Sequence, residues 1–352
     1  MKYKFYTSSE KAWQAMRDAV LEAKHSIYLE SYILVEDELT KNFFQAIKEK
    51  AAAGVKIKII VDRVGSFWGN FLPGVKSAEE GIEILFFRRF FLFSGNHRKV
   101  LIIDEKVVFI GGVNISGKYA KWLDLHVRLE GKFFLRKILQ SFAGVYKLAG
   151  GVDPQIGKYL KRWRNERPRR VLYEAKIFLI EHWPFRRRSA LISYYKRKIA
   201  ESEKSIVFVT PYFVPHRWLI ESLDGAVKRG VSVEILLPKK TDTALLDAAN
   251  WIFAEELSDK IKFLFFPEMN HAKILLIDDK EGMVGSNNID SLSFDLNLEA
   301  GIIFKRKDML MDLKEILKKW RRSAVPYKEL PPWHPWYYKI LKFFINLIKP
   351  VL

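Results

Sequence analysis

No cysteine occurs among the 352 residues, which removes disulfide frameworks, thiolate zinc sites and cysteine nucleophiles together, while leaving the redox compartment unread. Glutamine is scarce beside abundant lysine and glutamate, a faint thermophile-like signal. No window of 18 or more uncharged apolar residues is present, and the opening MKYKFYTSSEKAW lacks the apolar stretch of a secretory signal, so neither a signal peptide nor a transmembrane helix is expected. Long polar tracts are missing as well. With 49% hydrophobic and 29% charged residues the chain should be folded throughout, and its length suits two domains. What it has in excess is positive charge: a net +19 should attract nucleic acid, an anionic bilayer or phosphorylated substrates, without choosing among them.

Helical and strand patterns alternate, the signature of an α/β fold. Ser9 to His25 has helical spacing with Ser8 or Ser9 as N-cap; a strand over 26–34, a helix over 41–53 stopped by Gly54 and a β-branched run over 55–61 follow. The same order returns with a helix over 189–203, a strand over 205–210, a helix over 216–229 stopped by Gly230 and a strand over 231–237. Tyr32 corresponds to Tyr212. At a constant offset of 174 residues, His97, Lys99, Asp104, Gly111 and Asn114 fall on His271, Lys273, Asp278, Gly285 and Asn288, so the chain is an internal duplication. The basic stretch KYLKRWRNERPRR connects the halves, which places a first domain at 1–168, a second at 169–330 and a tail at 331–352.

The repeated motif is HRKVLIID (97–104) and HAKILLID (271–278), a histidine and a lysine two residues apart before an apolar run that reads as a buried strand. Strand alternation puts His97 beside Lys99, and His271 beside Lys273, on one face. Glycines then allow close backbone approach before Asn114 and Asn288. Imidazole, ammonium and amide together make a phosphate site: one histidine attacks phosphorus, the other protonates the leaving alkoxide, and the lysines and asparagines hold the non-bridging oxygens. That scheme calls for no metal or cofactor. A nucleophilic imidazole needs its other nitrogen held by an acceptor. Asp124, 27 residues after His97, and Glu299, 28 after His271, are the candidates, one in each half. Asp104 and Asp278 complete the motif and are counted with its catalytic set, although a cap on the turn after the strand would explain them equally well.

These residues resemble the phospholipase D superfamily and, within it, the bacterial cardiolipin synthases. The likeness is carried by NHRKVLIIDEKVVFIGGVNIS, HVRLEG (126–131), TPYFVPH (210–216) and NHAKILLIDDKEGMVGSNNIDSLSFDLNLEA. It implies two similar α/β/α domains with mixed sheets related by a pseudo-two-fold axis, and one active site between them that uses no cofactor. His97, Lys99 and Asn114 would share a single phosphate there with His271, Lys273 and Asn288, and His97 would be the nucleophile, as the first motif is in several relatives. The chain looks like a shorter synthase without the two N-terminal membrane helices of the longer ones. Leu292 stands where relatives often have Arg, and Leu123 where they have a polar residue, which bears on acceptor choice.

The superfamily also holds nucleases, so lipid and nucleic acid must be weighed. The aromatic block ILFFRRFFLF (84–93), with SFWGNFLPG (66–74), suits acyl chains better than stacked bases, unless 84–93 is merely a buried strand. In WYYKILKFFINLIK (336–349), Lys339, Lys342, Asn346 and Lys349 form one polar stripe, the pattern of a helix lying in the bilayer interface or, alternatively, of one packed on the body. The expected partners are phosphatidylglycerol and a membrane surface, with the protein peripheral on the cytoplasmic face. Transfer between two phosphatidylglycerols is the preferred activity, and hydrolysis of a lipid or nucleic-acid phosphodiester is the alternative. Oligomeric state is not legible in the sequence.

Overall fold

A computed structural model describes residues 1–66, 81–87, 94–161, 176–184 and 189–331, together with 338, 341–343 and 345. In the first half β1 (Lys2–Ser8) leads into α1 (Ser9–Leu21), β2 (Ser26–Ser31), α2 (Lys41–Ala52), β3 (Lys56–Asp62), β4 (Ile82–Phe87), β5 (Val100–Ile103), β6 (Val107–Gly111) and β7 (Leu123–Glu130), followed by α3 (Lys132–Leu148) and α4 (Pro154–Lys161). The second half runs β8 (Ile177–His182), α5 (Ala190–Glu201), β9 (Ser205–Val209), α6 (Arg217–Lys228), β10 (Ser232–Pro238), α7 (Ala244–Leu257), β11 (Lys262–Phe266), β12 (Ile274–Ile277), β13 (Glu281–Gly285) and β14 (Glu299–Phe304). It closes with α8 (Lys307–Ser323) and the short β15 (Val325–Pro326).

Local chemistry explains the element ends. α1 buries Ala12, Trp13, Met16, Ala19 and Val20, a stripe at three- and four-residue steps. Gly54 after α2 and Gly230 after α6 take φ of 83° and 86°, the left-handed conformation that ends a helix without a Cβ penalty. Ser189 caps α5 by accepting the Ile192 amide at 3.1 Å.

The duplication extends to topology. The first sheet has the order β1-β7-β6-β5-β2-β3-β4, and the second, read from its other edge, β8-β14-β13-β12-β9-β10-β11 with β15 added. In each, three strands are parallel and the rest antiparallel: β2-β3-β4 answers β9-β10-β11. Outer cores lie under α1 and α2 in the first half and under α5, α6 and α7 in the second. A third, inner core is common to both halves, drawing Phe142 and Tyr146 from α3, Leu313 and Leu317 from α8, and residues of both sheets. Alternation divides the motif strands between layers, with Val100, Ile102, Ile274 and Leu276 inside and Leu101, Ile103, Leu275 and Ile277 outside. At about 1.5–3 kcal/mol for each large apolar side chain buried, the inner core is what presses the two sheets together.

The expected division near Pro168 lies outside the described residues, as do 67–74 and 88–93 of the two aromatic stretches. The remainder of 84–93 is sheet edge: Phe87 is buried, while Phe86 is 43% exposed. In the tail, Tyr338, Leu341 and Ile345 pack on the body, while Phe343 is 66% exposed. Ile345 is fully buried, Tyr338 and Leu341 lie against the outer core of the second half, Tyr338 bonds Glu255, and Lys342 pairs with Glu256 at 2.8 Å. Lys342 therefore faces an acidic pair on α7 rather than lipid headgroups, because the apolar steps 338, 341 and 345 face the protein.

Candidate active site

β5 starts at Val100 and β12 at Ile274, so His97, Lys99, His271 and Lys273 sit on extended segments just ahead of the expected strands. What holds those segments is the opposite half. Asn96 forms a parallel bridge with Leu298, and Leu123 forms one with Asn270. The His97 amide donates to Leu298 O at 3.0 Å and the Leu298 amide to Gly95 O at 2.8 Å. Symmetrically, the His271 amide donates to Leu123 O at 2.7 Å and the Leu123 amide to Met269 O at 3.1 Å. Each bridge aligns the residue before a histidine with the residue before a carboxylate of the other half.

The carboxylates are consequently exchanged. His97 Nδ1 lies 3.0 Å from Glu299 Oε1, and His271 Nδ1 lies 2.9 Å from Asp124 Oδ2. In-half spacing had suggested the reverse assignment; both residues hold histidines, but each across the interface. A carboxylate only accepts, so Nδ1 of each ring carries the proton and donates, leaving each Nε2 with a free lone pair.

Lys99 and Lys273 are both buried, and each ammonium donates to the carbonyl of its own histidine, Lys99 Nζ at 2.6 Å and Lys273 Nζ at 2.5 Å. Burial pushes Lys99 well below the usual lysine range and brings Lys273 down to about 7, against the opposing pull of Asp124 and Glu299 on both. Burial also lowers both histidines. For His97 the Glu299 charge works against that, whereas for His271 the nearby Lys273, Lys99 and His97 reinforce it. An anion placed between the lysines would reverse these shifts, because it favours every charged cation around it.

The two carboxylates differ. Glu299 also accepts from Ser293 Oγ at 2.8 Å and from Ser286 Oγ, and it is held below its ordinary value despite burial by His97, Lys99 and Ser286. Asp124 has the adjacent Leu125 amide at 2.7 Å besides His271, and burial pushes it up to about 6. The half-site of His97 thus rests on the firmer anion.

Asn114 and Asn288 are buried at matching positions. The Asn114 carbonyl accepts Trp13 Nε1 at 2.8 Å and the Asn288 amide donates to Ser293 Oγ at 2.9 Å, yet the side-chain oxygen of each lacks a hydrogen-bond partner. Each side chain keeps an uncommitted end, which a buried polar group normally does not. Aromatic rings complete the walls: Tyr32 stands edge-on to His97 with ring centres 4.6 Å apart, Trp122 lies 5.2 Å from His271, and Tyr212 lies 6.3 Å from it.

Asp104 and Asp278 are at the other end of the strands. Asp104 accepts the amides of Lys24, His25 and Ser26 at 2.8, 2.7 and 2.9 Å. Asp278 accepts those of Glu203, Lys204 and Ser205 at 3.0, 2.7 and 2.9 Å. Both have positive φ, and these amide contacts fit the turn-capping role that the sequence allowed for them beside the catalytic one. A four-residue strand at about 3.3 Å per residue is enough to carry them out of reach.

Sequence reasoning missed several supporting residues. Ser286 and Ser293 have no counterpart signal in the first half. Fully buried Arg98, between His97 and Lys99, turns away from them to Glu30 at 3.2 Å, Glu181 at 3.3 Å and Ser141 at 2.5 Å, fastening the first motif to the second sheet. Asp290, buried and pushed up to about 7, accepts the Ser293 amide at 2.7 Å and so shapes the turn that brings Ser293 to Glu299. Tyr32 and Tyr212 were visible as a repeated pair, without a role. Among the described residues no group of three His, Cys, Asp or Glu side chains is arranged to hold a metal ion.

Comparison with known proteins agrees with this geometry. The family described as "Cardiolipin synthase, PLD-like domain" matches residues 16–145 and 195–321, one copy in each half. A cardiolipin synthase of Clostridium perfringens is 30% identical over 335 residues, covering 88% of this chain and 68% of that protein. Cardiolipin synthase 1 of Bacillus anthracis is 27% identical, covering 99% of this chain and 72% of that protein. The crystal structure of phosphatidylserine synthase from Haemophilus influenzae superposes with a TM-score of 0.79 over 99% of this chain and 95% of that one, at 16% identity, and so shares the fold.

Proposed function

The chain belongs to the phospholipase D-like family described as cardiolipin synthase, PLD-like domain, and from that membership we propose an enzyme that transfers a phosphatidyl group from one phosphatidylglycerol to another, releasing glycerol. The observation that carries the chemistry is the exchanged pair of histidine-carboxylate contacts around two buried lysines. His97 Nε2 forms the bond to phosphorus while the phosphorus-oxygen bond to glycerol breaks, and His271, which the bound phosphate anion favours in its doubly protonated form, gives its Nε2 proton to the leaving oxygen. His271 then takes the proton of the acceptor hydroxyl, whose oxygen attacks phosphorus as the bond to His97 breaks. Lys99 and Lys273 through their ammonium groups, and Asn114 and Asn288 through their side-chain N–H donors, hold the non-bridging oxygens through both steps. His97 is the nucleophile in this scheme because Glu299, with its two serine donors, best supports the positive charge its ring acquires.

We read the two domains as 1–168 and 169–330, and the site of action as an anionic membrane surface on the cytoplasmic side. The net charge of +19 supports surface attraction, and no described helix is long and apolar enough to cross a membrane. The test is incubation of the purified protein with phosphatidylglycerol vesicles and, separately, with single-stranded DNA, each with chelator. Cardiolipin and glycerol in a one-to-one ratio is the expected result. Phosphatidic acid alone would mean that water is the acceptor, and cleavage of DNA alone would end the lipid reading.

A further inference from the structure

The half-sites agree in His, Lys and Asn but not at the mouth, and we propose that Tyr212 and Asp242, with Lys118 from the first half, form the subsite for the alcohol portion of the substrate, a polyol with neighbouring hydroxyls such as glycerol. This rests on the transfer chemistry above. Tyr212 Oη donates to Asp242 Oδ1 at 2.7 Å, and Lys118 Nζ stands 3.8 Å from Asp242 Oδ2. The Asp242 side chain remains 22% exposed. Its negative charge reaches inward to both His271 and Lys273. The Tyr212 ring is edge-on to His271, the group assigned to protonate the leaving alcohol and deprotonate the incoming one. The alcohol oxygen must therefore lie on this side of the phosphate.

The asymmetry is local. Residue 242 follows β10 at the place where the first half, after β3, has Ser66, whose hydroxyl donates to the Tyr32 carbonyl at 2.9 Å. A carboxylate placed there repels the phosphate that the lysines attract, so phosphate binding does not account for it. What it attracts is hydroxyl donors. An ionised carboxylate offers about four acceptor directions; Tyr212 fills one and the long Lys118 contact leaves room for two hydroxyls. Lys118 can donate to the same hydroxyl oxygens. The adjacent wall is aromatic: Tyr119 and Trp122 lie 4.4 Å apart and Trp122 lies 5.2 Å from His271, a surface suited to the C–H edges of a polyol.

The test compares headgroup release from phosphatidylglycerol and phosphatidylethanol vesicles by the full chain and by Asp242→Asn. Two lost charged hydrogen bonds correspond to a preference of about tenfold or more. The wild type should therefore favour phosphatidylglycerol by at least about tenfold, and Asp242→Asn should bring the ratio near one. Tyr212→Phe, which keeps the ring, should move it the same way. Inorganic phosphate should inhibit Asp242→Asn more strongly, since a repelling charge has gone. An unchanged ratio, or an equal fall on both lipids, overturns the subsite and leaves Asp242 as a fastener of Tyr212. Release of glycerol without cardiolipin would defeat the transferase reading alone, because the headgroup ratio still reports on the subsite.

Discussion

Replacing Asp278 by alanine separates the motif's third letter from its first two. Three backbone amides lose their acceptor: those of Glu203, Lys204 and Ser205. A hydrogen bond to a charged group is worth about 1.5–3 kcal/mol, but the turn is partly exposed and water takes over some of the donors, so about 2–3 kcal/mol in total is a fair expectation. With an unfolding entropy of about 2.1 cal/mol/K per residue over 352 residues, 1 kcal/mol moves the melting midpoint by about 1.4 °C. The expected fall is therefore about 3–4 °C, read by differential scanning calorimetry, with kcat per folded molecule within twofold of wild type. The pH dependence has a defined sign. Asp278 is lowered in the folded state by these amides, although burial opposes them, so its contribution is complete above the unfolded aspartate value and is lost as pH falls through the folded one. The difference in midpoint between wild type and variant should shrink in acid. A loss of kcat of a hundredfold or more with an unchanged midpoint would refute this reasoning and return Asp278 to the chemistry.

Glu299→Gln should reduce kcat by about 10²- to 10⁴-fold, and more than Asp124→Asn does, because Glu299 is the better-held anion behind the proposed nucleophile; steady-state rates on phosphatidylglycerol decide the order. Lys273 is brought to about 7 by burial, so its ammonium is lost as pH rises through that value. Phosphate inhibition should weaken above it by up to about tenfold per pH unit, and Lys273→Arg should flatten the curve. Arg98→Met leaves Glu30 buried without its cation and should cost about 3–5 kcal/mol in urea unfolding, with Glu30→Met in the same chain restoring part of it.

Much of this molecule could be read in advance because it is a duplication. His97, Lys99 and Asn114 each recur at one offset, and the runs VLII and ILLI declare buried strands whichever half they are in. The exchange of carboxylates was not legible. A spacing of 27 or 28 residues is the same whether Asp124 turns to its own histidine or to the other, and only the bridge from Leu123 to Asn270 decides it. The two roles open to Asp104 could not be separated by spacing alone: closeness in sequence along an extended strand is distance in space. In the tail, a polar stripe containing Lys342 does not say whether the other face meets lipid or protein; Tyr338, Leu341 and Ile345 meet protein, while Phe343 stays exposed.

The central claim is that two half-sites act on one phosphorus with His97 as nucleophile and His271 as proton carrier. It is tested most directly in His271→Ala with a phosphatidyl donor whose leaving group is p-nitrophenolate, which departs without a proton. Rapid acid-free quenching and peptide mass spectrometry should then find the phosphatidyl adduct accumulated on His97, since the step that needs His271 to activate the acceptor is blocked. An adduct on any other residue, or nitrophenolate release with no adduct at all, would contradict the account.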